Sequence, residues 1–190
     1  MGLLDVLLGR TRPVNPNLDV LFAIPSAAQT LQAALDLQPT GTGTVCFKHP
    51  EGAAAAAAQT DLTALLTLDP TTQVSVTRDE CAYTWVTCTR TDLDLPALVT
   101  DLHAVNTTLA DAGLGPALLC TVIGFATAEH TRRLGLVYLF KRGTVYPFAP
   151  TSPNLRDTAL ELQVRAELGA DIPVEPDLTR WFPIWAAPVP

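Results

Sequence analysis

Histidine and cysteine are the residues best suited to hold a metal ion or to act in catalysis, and their arrangement in this chain favours neither role. The three histidines stand apart, without a carboxylate at metal-ligand spacing: His49, His103 and His130. The four cysteines are scattered through apolar, strand-like runs, as is typical of thiols buried in a reducing cytoplasm: Cys46, Cys81, Cys88 and Cys120. We therefore expect no metal, no cofactor and no catalytic residues, and a binding protein rather than an enzyme.

Motifs for phosphate binding, zinc-dependent hydrolysis and serine nucleophiles are missing from the sequence. The run Gly113-Leu114-Gly115 is the nearest approach to a nucleotide loop. It follows a predicted helix and precedes a predicted strand, which is the reverse of the order that a phosphate-binding turn requires. We interpret it as a helix stop.

Positive charge is concentrated in one stretch of the chain. Four of the twelve lysines and arginines lie between residues 130 and 143, where no acid occurs: Arg132, Arg133, Lys141 and Arg142. They fall at the ends of predicted hairpins, where two turns could present them together. The alternatives are solvated turn residues or a site for an anion or an acidic partner. The net charge of -7 argues against direct nucleic-acid binding.

Large apolar side chains occur in segments that cannot build a core of their own. The tail, residues 172–190, is rich in proline yet carries Trp181, Phe182 and Trp185, and the N-terminal arm carries Leu4 and Leu7. Such groups must be buried against the chain itself or against a partner. We consider both, and take as candidate partner-binding residues Leu4, Leu7, Tyr146, Phe148, Trp181, Phe182 and Trp185.

Membrane contact through the arm is a third and weaker interpretation. The arm lacks the basic face that strong interfacial binding needs. Val6 stands where a myristoylation signal would have serine or threonine. Membrane contact is therefore expected to be weak, or indirect through a partner.

Periodicity predicts two similar halves, each of strands and helices. In the first half we expect a helix from Pro25 to Leu35, a strand over Thr44–Lys48 after the 39–43 breaker run, and a helix in the alanine-rich segment that ends before Pro70. A hairpin over Gln73–Thr77 and Ala82–Thr89 follows. Asp94 as the cap and Gly113 as the stop then bracket the clearest helix.

The second half is predicted to hold three strands and a last helix. The strands cover Leu118–Phe125, Leu134–Phe140 and Thr144–Ala149, and Pro147 marks the third as an edge strand. Ser152 and Pro153 are taken as the start of the helix, and Gly169 as its end. The order of elements predicts an α+β fold with a mainly antiparallel sheet and helices packed on one side. We expect an arm (1–16), a single domain (17–171) and an extended tail (172–190).

Five stretches spread along the chain resemble the PspA-associated protein PspAB family. They are Met1–Arg10 (MGLLDVLLGR), Ala23–Ala28 (AIPSAA), Leu102–Asn106 (LHAVN), Leu136–Pro150 (LVYLFKRGTVYPFAP) and Val174–Pro183 (VEPDLTRWFP). The family is named for its association with PspA, a membrane-remodelling stress protein. The resemblance implies an accessory role in envelope stress and supplies no catalytic residues. The element order is also similar to YbjN-like proteins and type III secretion chaperones, compact dimers that bind segments of other proteins.

Two functions compete on these grounds. The first is an adaptor or chaperone-like homodimer of the cytoplasm, peripheral to the inner membrane at most through a partner, that binds PspA or another stress or DNA-repair protein. The second is a small-ligand or anion-binding protein that uses the cationic hairpins.

Overall fold

A six-stranded antiparallel sheet forms the centre of the protein. The computed structural model describes residues 16–48 and 71–189. The strands are β1 (Gln38–Lys48), β2 (Thr72–Arg78), β3 (Tyr83–Arg90), β4 (Leu118–Ala126), β5 (Arg133–Leu139) and β6 (Thr144–Phe148), and they lie in the order β2-β3-β1-β4-β5-β6. The predicted fold class is confirmed, and so is the hairpin of β2 and β3. The helix predicted to end before Pro70 lies outside the described residues.

In the described part of the chain, three helices cover one face of this sheet. They are α1 (Ile24–Leu35), which a 3-10 turn over Leu18–Ala23 precedes, α2 (Leu95–Leu109) and α3 (Thr158–Leu168). Their apolar stripes pack on the inward side chains of the strands, such as Val45, Ile123 and Leu136, in one continuous core. Because antiparallel strands alternate their side chains between the two faces, the opposite face must find a different cover.

Helix α2 follows the signals in its sequence. The Asp94 side chain accepts a hydrogen bond of 2.9 Å from the amide of Ala97, which caps the first turn. Pro96 lies in that turn, where a backbone N–H would have no partner within the helix, so proline costs no hydrogen bond there. After Leu109 the chain continues in a π-helical turn over Ala110–Leu114, in which Gly113 has φ +83°, a conformation that favours glycine. Local chemistry therefore determines the start of this helix and the end of the turn that follows it.

Two element boundaries differ from prediction. The 39–43 run is not a breaker, because β1 begins at Gln38 and absorbs the run in a register shift between Pro39 and Gly43. Helix α3 begins at Thr158 rather than near Ser152, and its cap is Asp157, whose side chain accepts from the amide of Leu160 at 2.9 Å. Residues before it form a small hairpin of β7 (Pro150–Ser152) and β8 (Leu155–Arg156).

The stretch Leu18–Leu35 is long and apolar enough to cross a membrane by length and composition alone. Helices from the core of a globular domain meet the same criterion. Here Leu21, Ile24 and Leu31 are fully buried against the sheet and the other helices. The hydrophobicity of this stretch is therefore accounted for by core packing.

Candidate partner-binding surface

The face of the sheet opposite the helices is of mixed polarity on one half and apolar on the other. Strands β1 and β3 place hydroxyl side chains there, with Thr44 opposite Thr87 and Thr42 opposite Thr89, but also the buried pair of Cys46 and Trp85. Strands β4, β5 and β6 place apolar groups on the same face: Cys120, Val122, Val137, Tyr146 and Phe148. An apolar sheet face of this extent is costly in water, so it requires a cover.

The tail supplies that cover and joins the edge of the sheet. The amide of Val145 donates to the carbonyl of Pro173 at 2.9 Å, and the amide of Glu175 donates to the carbonyl of Val145 at 2.7 Å. Val145 and Val174 thus form a short parallel bridge. From there the chain crosses the apolar half of the face, where Trp181 and Ile184 pack on the strands.

A buried carboxylate fixes the start of the tail. Glu175 is fully buried, receives two hydrogen bonds from the Arg142 guanidinium, and accepts one of 2.7 Å from the hydroxyl of Thr144. The amide of Asp177 donates to it at 3.2 Å. Burial pushes the pKa of Glu175 upward, but the bonds from Arg142, Thr144 and Asp177 outweigh burial and hold that pKa below its ordinary value. The carboxylate therefore stays ionised in the fold.

A second buried carboxylate fixes the aromatic part of the tail. Glu161, on α3, accepts from the amide of Ala149 at 2.8 Å and from Nε of Arg156 at 2.8 Å. The same arginine donates from Nη1 to the carbonyl of Trp181 at 2.8 Å. The helix, the β7–β8 hairpin and the tail are thus held together through one guanidinium.

Three of the predicted partner-binding residues are buried within the chain itself. Trp181 donates from Nε1 to the carbonyl of Glu175 at 3.1 Å, and its ring stacks on Tyr146 with centroids 6.1 Å apart. The hydroxyl of Tyr146 donates to the carbonyl of Phe182 at 2.8 Å, and burial raises the pKa of that hydroxyl. Phe148 is buried beside them. These side chains hold the tail in place and present no surface to a partner.

Two aromatic side chains of the tail remain at the surface. Phe182 is 61% exposed and Trp185 is 39% exposed. Trp185 meets the ring of Phe148 edge-on at 4.9 Å, so its ring is anchored along one side only. Beside it is a shallow hollow of about 40 Å³ lined by Phe148, Pro150, Ile184, Trp185, Ala187 and Val189. Small-molecule sites usually measure a few hundred Å³, so this hollow suits an inserted side chain better than a whole ligand.

The four predicted cationic residues do not meet, and the expectation that two turns would present them together was wrong. Arg132 and Arg133 lie at the start of β5, whereas Lys141 and Arg142 follow its end. Arg132 donates to the carbonyl of Leu35 at 2.8 Å at the end of α1, and Arg142 binds Glu175. Two of the four thus have structural partners, and the other pair, Arg133 and Lys141, lies at opposite ends of one strand.

Some of the residues considered in the sequence analysis lie outside the described part of the chain. They are Leu4, Leu7 and His49. Over residues 16–48 and 71–189, no group of three or more His, Cys, Asp and Glu side chains is placed to hold a metal ion. Cys81 lies in the turn before β3, while Cys46 and Cys120 face each other across β1 and β4.

Sequence reasoning missed Glu161, Glu175 and Arg156. One signal was available: Glu175 is an acid between two prolines in an otherwise apolar tail segment, PVEP. A charged residue in such a setting usually has a specific partner.

Comparison with known proteins identifies the family of this chain. The family model of PspA associated protein B, PspAB, matches residues 1–189. The chain belongs to this family. Its description names an association with PspA, which indicates an accessory role in the phage-shock response. No significant match was found among curated proteins or among solved structures. The likeness to YbjN-like proteins and secretion chaperones therefore stays a prediction.

Proposed function

We propose that this member of the PspAB family is a non-enzymatic adaptor or chaperone-like protein that binds a PspA-type stress protein through Phe182 and Trp185. The observation that carries the proposal is the division of the tail aromatics. The buried ring of Trp181 holds the segment in place, while the two following aromatics are held at the surface by it. Aromatic side chains are enriched at the centres of protein interfaces, and tryptophan is among the residues that contribute most to binding there.

The fixed backbone of the tail favours a binding role for Phe182 and Trp185 over incidental exposure. Tyr146 and Arg156 hold the carbonyls of Phe182 and Trp181, so the backbone that carries the pair is fixed before any partner arrives. A surface fixed in this way loses little conformational entropy on binding. The shallow hollow beside Trp185 would take one apolar side chain of the partner.

We further propose that the protein acts as a homodimer in the cytoplasm and has no enzymatic activity. The absence of catalytic and metal-binding motifs from the sequence supports the last point. The alternative of an anion site at the cationic hairpins loses its main support, because β5 separates the two pairs of cations.

The test is a binding measurement between the full-length protein and purified PspA from the same organism, by calorimetry or biolayer interferometry. Replacing both Phe182 and Trp185 by serine is expected to weaken binding at least roughly tenfold, because interface aromatics commonly contribute more than 1.4 kcal/mol each. The fold should persist, since neither side chain belongs to the buried hydrophobic clusters.

Phe22→Ser is the matched control. Phe22 is 50% exposed and lies on the helix side of the sheet, with its ring against His103. This variant should bind PspA as the unchanged protein does. If the double variant keeps full affinity, or if Phe22→Ser loses as much, the surface is wrongly assigned. If the unchanged protein does not bind PspA at all, the adaptor proposal fails for that partner.

A further inference from the structure

Strand β2 is the outermost strand of the sheet on the side away from the tail. It pairs with β3 along its whole length, from Thr72 opposite Arg90 to Arg78 opposite Thr84. Within residues 16–48 and 71–189, no backbone group of β2 is bonded on its outer side. An open edge of seven residues is a template for one more strand.

The side chains of β2 are suited to pairing with a like strand. Val74 and Val76 are half-buried on the helix side, where they extend the core to the edge of the sheet. Gln73, Ser75 and Thr77 are exposed on the other face. An added strand would need apolar groups at the positions opposite the valines and polar groups opposite the other three.

We propose that β2 pairs antiparallel with β2 of a second copy, about a two-fold axis through Ser75, so that two six-stranded sheets become continuous. This register places Val74 against the partner's Val76, and Gln73 against the partner's Thr77. Apolar groups then meet on the helix side and polar groups on the other side. The inference rests on the homodimer proposed above and assigns its interface.

Neighbouring symmetric registers fit less well. An axis through Val76 would set the charged Arg78 opposite the partner's Val74. An axis through Val74 would leave Thr77 and Arg78 beyond the end of the partner strand. Only the axis through Ser75 pairs all seven residues of each strand.

Charge complementarity supports the same register. It brings Arg78 opposite the partner's Thr72, whose hydroxyl donates to Asp101 at 3.0 Å. Asp101, on α2, is 17% exposed and already pairs with Arg90, as does Asp92. Two carboxylates thus share one guanidinium, and the cluster that Arg78 would approach keeps a net negative charge. Asp79, next to Arg78, is already occupied by the amides of Cys81 and Tyr83 and the indole of Trp85. Arg78 is therefore available to a partner.

The experiment combines light scattering with site-specific cross-linking of the full chain in a Cys81→Ser background, which removes the exposed native thiol. We expect twice the 20.3 kDa of one chain. Ser75→Cys should give a covalent dimer with a short bis-maleimide, because each new thiol directly faces its copy. Ser75→Lys should give a monomer, because two like charges would meet on the axis.

Gln73→Cys is the matched control, exposed on the same face of the same strand. In the proposed register the two copies of residue 73 are four positions apart, roughly 13 Å along the strand, so cross-linking should fall at least tenfold. If Gln73→Cys cross-links as efficiently as Ser75→Cys, or if Ser75→Lys remains a dimer, this interface is wrong. The homodimer itself would then still stand. A monomeric unchanged protein overturns both. Neither result affects the PspA-binding test at Phe182 and Trp185.

Discussion

The two edges of the sheet are treated in opposite ways. Every second residue of β6 directs its backbone outward, and the outward amides are satisfied or missing. Val145 bonds to the tail, Pro147 has no N–H to offer, and just past the strand the amide of Ala149 donates to Glu161. At β2 none of these devices is present among the described residues.

The difference is that the chain covers the β6 edge with its own tail, whereas the described residues leave the β2 edge uncovered. Closing the β6 edge needs two buried carboxylates and the anchoring ring of Trp181, and it leaves Phe182 and Trp185 on a fixed support. A closed edge resists unwanted strand pairing, whereas an open edge invites it. The predictions below test whether the closure is built as described, and the β2 edge supplies the contrast.

The largest effect on stability is expected for Trp181→Ala. The ring is 6% exposed, so its removal leaves a cavity under the tail and should cost about 3–5 kcal/mol of unfolding free energy. Denaturant unfolding would measure this. Phe182→Ala, the exposed neighbouring aromatic, should stay within about 0.5 kcal/mol of the unchanged protein. Equal losses of unfolding free energy in the two variants would show that the buried ring of Trp181 does not hold the tail in place.

A smaller effect, with a pH signature, is expected for Glu175→Gln. The pKa of Glu175 is lowered in the fold, so its contribution to stability is fully present above the unfolded value of about 4.5 and is lost as the pH falls through the lower folded value. Glu175→Gln should be less stable than the unchanged protein at pH 7, and its stability should fall less on acidification below pH 4.5.

Unfolding free energies between pH 7 and pH 3 would show this difference. Glu167→Gln, an exposed position on α3, should keep the pH dependence of the unchanged protein. If Glu175→Gln keeps the same slope too, the ionised carboxylate does not hold the tail.

The smallest effect is expected for Tyr146→Phe. This change removes only the hydroxyl that bonds to the carbonyl of Phe182, and one such bond contributes about 1 kcal/mol. Tyr83→Phe, at a partly exposed position of β3, is the control and should change the unfolding free energy by less. No loss in Tyr146→Phe would mean that the carbonyl of Phe182 is satisfied elsewhere.

Local signals predicted much of the fold. The β2–β3 hairpin follows from alternating residues around a polar turn, helix α2 from Asp94, Pro96 and Gly113, and the edge position of β6 from Pro147. Each signal acts within a few residues of the element that it defines, so it can be read without knowledge of the rest of the chain.

The start of α3 and the length of β1 were mispredicted because the local sequence permits more than one structure at each place. Contacts with distant residues decide which one forms. Ser152 and Pro153 form an acceptable helix start, yet the β7–β8 hairpin takes that segment and Asp157 becomes the cap. Gly43 lies within β1, where an added Cβ would approach Leu102 of α2 to 2.5 Å. Glycine there permits helix–strand contact and does not break the strand.

The sequence by itself determined an α+β protein without a readable catalytic or metal site, with an antiparallel sheet and a proline-rich tail that had to bury its aromatics. Tertiary structure alone decided which aromatics are buried and which stay exposed, and which partners Arg132 and Arg142 bind. The physical reason is distance along the chain. Glu175 finds Arg142 across 33 positions, and no local pattern encodes which partners such long-range contacts select.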